Sequence, residues 1–187
     1  MILLINACAR SQSRTKRLAD ALLERLGGPV RETRLPDMDM PKVDETFLAK
    51  RDALIKNEEF DDPSFALARE FAAAKKIVVA APYWDLSFPA ILKQYFELVN
   101  VLGVTFLYTS AGTPQGLCKA ESLYYVTTAG GAFCPWEYGF GYVEALARNF
   151  YGIPEIRLIK AVGLDIEGAD EARIMKEAMD SVKNIEL

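Results

Sequence analysis

The sequence predicts an α/β protein with a doubly wound, five-stranded parallel sheet in the order 2-1-3-4-5 and helices on both faces. Two observations indicate this fold. Apolar runs typical of buried strands alternate with stretches that have apolar residues at helical spacing. Turns containing Gly or Pro separate many of these segments. The chain has 187 residues and is 51% apolar, so we expect one domain over residues 1–187.

The first half of the chain contains two predicted strands and three predicted helices. The apolar run at residues 1–7 predicts strand one, and leucines on one face predict a helix over 13–26 that ends before two glycines. Residues 30–35 form the second predicted strand. Helices are predicted over 45–59 and, after an Asp-Asp-Pro turn, over 64–74.

The second half continues the alternation. The run at 76–81 predicts strand three, and apolar spacing predicts a helix over 90–101. Glycines and short extended pieces over 103–116 indicate an excursion that contributes to a pocket wall. The remaining predictions are a strand at 122–128, a helix at 136–150, a strand at 156–162 and a helix at 170–183.

Composition narrows the possible functions. The net charge of −4 comes from intermixed charges and leaves no basic stripe, so we expect no nucleic-acid partner. No apolar run reaches the roughly 18 residues of a membrane helix, and Cys8, Cys118 and Cys134 lack the spacing of a disulfide framework or metal cluster. We therefore expect a cytoplasmic protein with no membrane segment and no metal site.

The chain has no histidine, which removes the commonest general base and every Ser-His or Cys-His pair. Carboxylate or lysine catalysis remains open, although no carboxylate pair stands out at a strand end. Chemistry borne by a cofactor, with no catalytic side chain, fits this composition better.

Three loops carry the candidate site, and all follow strands at the carboxyl edge of the predicted sheet. Residues 8–15 supply hydroxyls, guanidiniums and a helix N-terminus for a phosphate, although helix capping alone also explains Ser and Thr there. Residues 81–89 supply two aromatics and a carboxylate, and residues 127–131 supply hydroxyls and two glycines. Together they suit a planar, anionic cofactor.

Two features near these loops can be explained without a role in the site. Cys134 has no Cys-x-x-Cys partner, so a small buried side chain is the better interpretation than a redox thiol. The aromatics between 136 and 142 alternate with other residues, so they point to more than one face of the predicted helix. Core packing explains some of them, and a subunit interface or an apolar substrate pocket explains the others.

The residues at 81–89, Ala-Pro-Tyr-Trp-Asp-Leu-Ser-Phe-Pro, carry a family resemblance together with downstream matches between 92 and 117. The chain resembles the flavodoxin-like NAD(P)H quinone reductases and FMN-dependent NADH-azoreductases. The resemblance implies a flavodoxin-like fold, a homodimer with one FMN per subunit at the interface, and ping-pong transfer of two electrons from NADH or NADPH to quinone or azo acceptors.

The resemblance also implies positions in the site. Residues 13–15 match the phosphate segment, residues 83–86 match a Met-Tyr-Asn-Phe segment, and residues 128–131 match a Ser-Arg-Gly-Gly segment. The candidate cofactor-binding residues are Arg10, Ser11, Ser13, Arg14, Thr15, Pro82, Tyr83, Trp84, Asp85, Leu86, Thr128, Ala129, Gly130 and Gly131.

Three departures from the family pattern change the pocket: Asp85 for Asn, Leu86 for Phe and Ala129 for Arg. Asp85 places an acceptor near the flavin and is a candidate for tuning its potential, because an anionic carboxylate disfavours an anionic reduced ring.

Two other functions remain open at this point. A flavodoxin-type carrier would bind FMN without oxidising NAD(P)H, and a sensing or structural α/β domain would bind no flavin. An iron-sulfur flavoprotein is disfavoured by the cysteine spacing.

Overall fold

A computed structural model describes residues 1–185; the last two residues of the predicted domain lie outside that range. Within the described residues the chain forms seven strands, six α-helices and several shorter helical turns. The strands are β1 Ile2–Asn6, β2 Val30–Arg34, β3 Lys76–Ala80, β4 Phe106–Tyr108, β5 Pro114–Gly116, β6 Ser122–Thr128 and β7 Glu155–Ala161. The helices are α1 Arg14–Leu26, α2 Glu45–Lys56, α3 Ala66–Ala73, α4 Ala90–Val99, α5 Phe140–Leu146 and α6 Glu171–Lys183.

Five strands form one parallel sheet in the order β2-β1-β3-β6-β7. Counting only these strands, the order is 2-1-3-4-5, so the predicted topology is confirmed. Asn6 at the end of β1 pairs with Ala80 of β3, and Ala80 pairs with Val126 of β6. This register brings the carboxyl ends of the three central strands to one edge, where the loops that follow them meet.

Both faces of the sheet are buried because helices cover each of them, and successive strand residues point to opposite sides. Ile77 faces the side covered by α3, α4 and α5, whereas Val78 faces α1 and α6. Burying one large aliphatic side chain contributes about 2 kcal/mol, and all five residues of β1 are buried. The continuous apolar runs at β1 and β3 are therefore what a sheet with helices on both faces requires.

Helix starts follow from local capping. The side chains of Ser13, Asp44 and Asp170 each accept a hydrogen bond from a backbone N–H in the first turn of α1, α2 and α6. Such caps stabilise a helix by about 1 kcal/mol. Ser13 thus caps α1 from the loop that was predicted to bind a phosphate.

The predicted helix over 136–150 is wrong as a single element. A 3-10 turn covers Trp136–Tyr138, and the helical conformation is interrupted at Gly139. Helix α5 then covers Phe140–Leu146, and a π-helical turn covers Ala147–Tyr151. Gly139 adopts φ −113° and ψ −87°, outside the helical region. The break separates exposed Tyr138 from Phe140 and Tyr142, which pack against the core.

The predicted excursion at 103–116 is an antiparallel hairpin of β4 and β5. Its base is pressed against the π-helical turn, because an added Cβ at Gly116 would lie well under 3.0 Å from the backbone of Tyr151 and Gly152. No side chain fits between these two backbones.

We expect Gly116→Ala to lower the free energy of unfolding by about 2 kcal/mol, because rigid backbone cannot yield to the new methyl group. Urea denaturation followed by circular dichroism measures the loss. Gly131→Ala is the matched control, since a Cβ there meets no atom within 4 Å. Equal stability of the two variants would contradict the close approach.

Candidate functional site

The loops after β1, β3 and β6 enclose one crevice at the carboxyl edge of the sheet. The strands they follow are neighbours in the sheet, and the crevice lies where the chain order reverses between β1 and β3, the usual ligand position in open α/β sheets. Its lining residues are Cys8, Ala9, Arg10, Gln12, Ser13, Arg14, Thr15, Pro82, Tyr83, Trp84, Thr128, Gly130 and Asp165.

Most of the predicted site residues therefore line a single crevice, but five of them do not. Ser11 is exposed on the loop after β1, and Ala129 is buried beneath the crevice. Gly131 is exposed beyond it, while Asp85 and Leu86 form the exposed tip of a turn beside it. The structure also adds Cys8, Ala9, Gln12 and Asp165 to the lining.

The α1 N-terminus provides donors for an anion. The backbone N–H groups of Arg14 and Thr15 find no acceptor within the described chain, whereas that of Lys16 donates to Ser13 Oγ at 3.3 Å. The buried hydroxyls of Thr15 and Thr128 lie 2.6 Å apart and share a hydrogen bond, which joins α1 to the end of β6. Free N–H groups at a helix start favour a phosphate.

Asn6 fixes the loop that precedes α1, and sequence reasoning missed it. Its Oδ1 accepts a hydrogen bond from the Cys8 backbone N–H at 2.9 Å, and its Nδ2 donates to Glu32 at 2.7 Å. Arg34 donates to the Cys8 carbonyl at 3.3 Å. A single amide at the end of an apolar strand was the available signal, because a buried polar side chain requires partners.

The turn over 84–87 is strained. Trp84 and Ser87 exchange backbone hydrogen bonds of 3.0 and 2.7 Å, and the two residues between them have positive φ, 49° at Asp85 and 67° at Leu86. Both signs match a type I′ turn, for which Asn-Gly and Asp-Gly are preferred. Ser87 Oγ donates to the Tyr138 carbonyl at 2.6 Å and holds the turn against the segment after β6.

Tyr83 forms one wall of the crevice through fixed contacts. Its backbone N–H donates to the Thr128 carbonyl at 3.0 Å, and its ring packs edge-on against Trp136 with centroids 5.6 Å apart. The Lys160 ammonium lies 4.6 Å from the Trp136 centroid. Burial raises the pKa of the Tyr83 phenol, with a smaller contribution from Cys134 and Glu137, so it stays protonated at neutral pH.

Arg14 is engaged by two carboxylates from the far end of the chain. Its Nη1 and Nη2 donate to Asp165 at 2.7 and 3.1 Å, and Nη1 also donates to Glu171 at 3.3 Å. The hydrogen bond to Asp165 raises the pKa of Arg14, and the same bond lowers the pKa of Asp165. Sequence reasoning missed both acids, although Asp165 follows a strand end as the other site loops do.

The sequence matches the family described as "Flavodoxin-like fold" over residues 1–185. The chain belongs to the flavodoxin-like family. An FMN-dependent NADH:quinone oxidoreductase of Clostridium beijerinckii is 34% identical over 185 residues, covering 95% of this chain and 92% of that protein. A protein with the same name from Coprothermobacter proteolyticus is 32% identical over 184 residues, covering 93% and 90%.

The fold of this flavodoxin-like protein is also that of the azoreductase from Bacillus anthracis str. Sterne. The two structures superpose with a TM-score of 0.84 at 22% identity, over 98% of this chain and 96% of the other. The predicted family resemblance is confirmed by these comparisons.

The cysteines of this flavodoxin-like chain are free thiols in poorly ionising surroundings. Burial raises the pKa of Cys8, raises that of Cys118 to about 12, and raises that of Cys134 despite the nearby Lys160 ammonium. Cys134 is half-buried, so the interpretation as a buried small side chain holds only in part. A raised pKa disfavours the thiolate, which is the nucleophilic form.

Among residues 1–185, none of the helices combines the length and the apolar composition that a membrane span requires.

Leu86→Gly is expected to raise the free energy of unfolding by about 0.5–1 kcal/mol, because relief of left-handed strain outweighs the entropy that glycine adds to the unfolded chain. Leu86 is 47% exposed, so little packing is lost. Thermal and urea denaturation provide the measurement. Leu102→Gly, at a leucine that is 39% exposed and without positive φ, is the control and should be destabilised. A less stable Leu86→Gly would refute the strain.

Proposed function

We propose that the chain is an FMN-dependent oxidoreductase that passes two electrons from NADH or NADPH to quinones, with azo compounds as a second class of acceptor. One observation carries the proposal: loops after β1, β3 and β6 converge on a single crevice lined by hydroxyls, guanidiniums and aromatic side chains. The relatives named as FMN-dependent NADH:quinone oxidoreductases support it over nearly the full length.

The residues present fit FMN at both ends. At the phosphate end, Ser13, Thr15 and the free N–H groups of α1 supply neutral donors, and Arg10 supplies a guanidinium. On the ring side, Pro82, Tyr83 and Trp84 provide flat apolar surface. The other predicted residues include Ser11, Ala129 and Gly131. We propose that they shape the loops that form these walls.

Bound FMN would supply the hydride-transfer and two-electron chemistry, and we propose that NAD(P)H and the acceptor use the same ring in turn. The role of the protein is to bind and orient, since the chain has no histidine. Asp85 follows Trp84 in the strained turn, and we propose that its carboxylate tunes the flavin. No side chain is assigned as catalytic.

The absorption spectrum tests this function. After reconstitution with FMN without oxygen, we expect NADH or NADPH to bleach the flavin band and a simple benzoquinone to restore it. A flavin band that neither nucleotide bleaches would indicate a flavodoxin-type carrier and contradict the proposed enzyme. Failure to take up FMN at all would refute the cofactor site.

We also propose a homodimer, supported by aromatic side chains that remain exposed on the segments after β3 and β6. Trp84 is 41% exposed, Tyr138 is 63% exposed and Phe133 is 79% exposed. Exposed aromatics of this kind are enriched at interaction surfaces, and we propose that a second copy covers them while closing the flavin ring side.

Phe133→Glu is therefore expected to shift the protein to a monomer, because a charge would be buried in the interface. Light scattering on a sizing column measures the mass. Val30→Glu is the control: Val30 is 42% exposed, but it lies at the amino end of β2, away from the crevice. A Phe133→Glu variant with wild-type mass would argue against this surface.

The cytoplasm is the proposed compartment, supported by the free state of Cys8, Cys118 and Cys134. Recovery of the native protein in the periplasmic or extracellular fraction of its cell would contradict this placement. One domain over residues 1–187 remains part of the proposal, and a single cooperative unfolding transition is its expected signature.

A further inference from the structure

The guanidinium of Arg14 is only partly used by its two acidic partners. Asp165 accepts one N–H from Nη1 and one from Nη2, and Glu171 accepts from Nη1. A guanidinium has five N–H groups. The Nε–H and the second Nη2–H, which form one edge of the planar group, have no acceptor within residues 1–185. Arg14 also lines the crevice, so this edge is a donor pair still free for an oxyanion.

The backbone of Asp165 is held in place, although its side chain is 62% exposed. Its backbone N–H donates to the Gly130 carbonyl at 2.9 Å. A Cβ at Gly130 would lie well under 3.0 Å from the Asp165 carboxylate. Gly130, one of the predicted cofactor-binding residues, thus leaves space for the Asp165 carboxylate.

Charges around Arg14 cancel. Arg10 and Arg14 each carry one positive charge, and Asp165 and Glu171 each carry one negative charge. Two further cations follow on α1. Lys16 is paired with Asp20 at 2.5 Å, and neither Lys16 nor Arg17 lines the crevice. An anionic phosphate in this crevice consequently meets hydrogen-bond donors but little net positive charge, and the carboxylate of Asp165 lines the same crevice.

We propose that Asp165 is a specificity-determining residue that limits how much affinity the cofactor gains from its phosphate. This inference rests on the proposed FMN cofactor. Asp165 cancels the charge of Arg14 and repels the phosphate, while leaving Arg14 two N–H groups for hydrogen bonding. Asp165 therefore reduces the preference of the crevice for FMN over riboflavin, which lacks the phosphate.

Removing this carboxylate charge strengthens phosphate binding. The Arg14 side chain is 23% exposed and is held by the packing around it as well as by its acids, and Glu171 still accepts from Nη1 after the change. Loss of orientation is thus small, whereas loss of a like charge beside an anion acts directly on binding. The same reasoning predicts a smaller effect for Glu171→Gln, because Glu171 makes one contact at 3.3 Å.

The test is titration of FMN and of riboflavin into apoprotein, followed by quenching of flavin fluorescence. For Asp165→Asn we expect the Kd of FMN to fall about 5- to 10-fold. We expect the Kd of riboflavin to change by less than about twofold. The FMN affinity of this variant should also fall more steeply with added KCl than that of the wild type.

Asp180→Asn is the matched control, because it removes the same charge from a carboxylate paired with Lys183 at 2.7 Å near the other end of α6. We expect it to leave both affinities unchanged. Circular dichroism verifies that each variant is folded, and Glu171→Gln provides a second variant with tightening in the same direction.

An Asp165→Asn variant that binds FMN no tighter than Asp180→Asn, while the wild type binds FMN, would overturn the inference and leave the proposed function intact. Parallel weakening of FMN and riboflavin would also overturn it, since Asp165 would then be organising the crevice. A wild-type protein that binds neither flavin refutes the proposed function, and this inference with it.

Discussion

The site depends on the parallel pairing of β1, β3 and β6 in a common register. Because Asn6, Ala80 and Val126 are aligned across the sheet, three loops that are far apart in sequence begin at the same edge. Burial of both faces makes this register costly to change, since a shift by one residue would turn each apolar side chain to the wrong face. The sheet therefore fixes the points at which the three loops of the crevice begin.

Much of the fold was predictable because its signals are local. Apolar runs gave β1 and β3, and Ser13 and the paired glycines gave the ends of α1. The break at Gly139 was missed although a glycine inside a helical pattern is itself a local signal. The hydrogen bond from Ser87 to the Tyr138 carbonyl beside it is a long-range contact that no local pattern shows. The β4–β5 hairpin was visible only as an excursion, because its packing on Tyr151 is a long-range contact.

The site shows the same division. Its three loops were predicted from residue types at strand ends, and most of their residues line the crevice. The ion pair of Arg14 was not predicted, because its partner Asp165 is 151 residues away in sequence. Asn6 was missed for a similar reason: it sits in a strand whose apolar character dominates the pattern, and its role appears only once its hydrogen bonds to Cys8 and Glu32 are known.

The position of the two tryptophans has a practical consequence. The chain contains only Trp84 and Trp136; the first lines the crevice and the second packs on Tyr83, one residue away from it. Intrinsic tryptophan emission is thus a local probe of the crevice and its immediate wall. A change in tryptophan emission during heating or denaturant titration would report loosening of this edge. A second signal, such as the circular dichroism of the helices, is needed to follow unfolding of the rest of the domain.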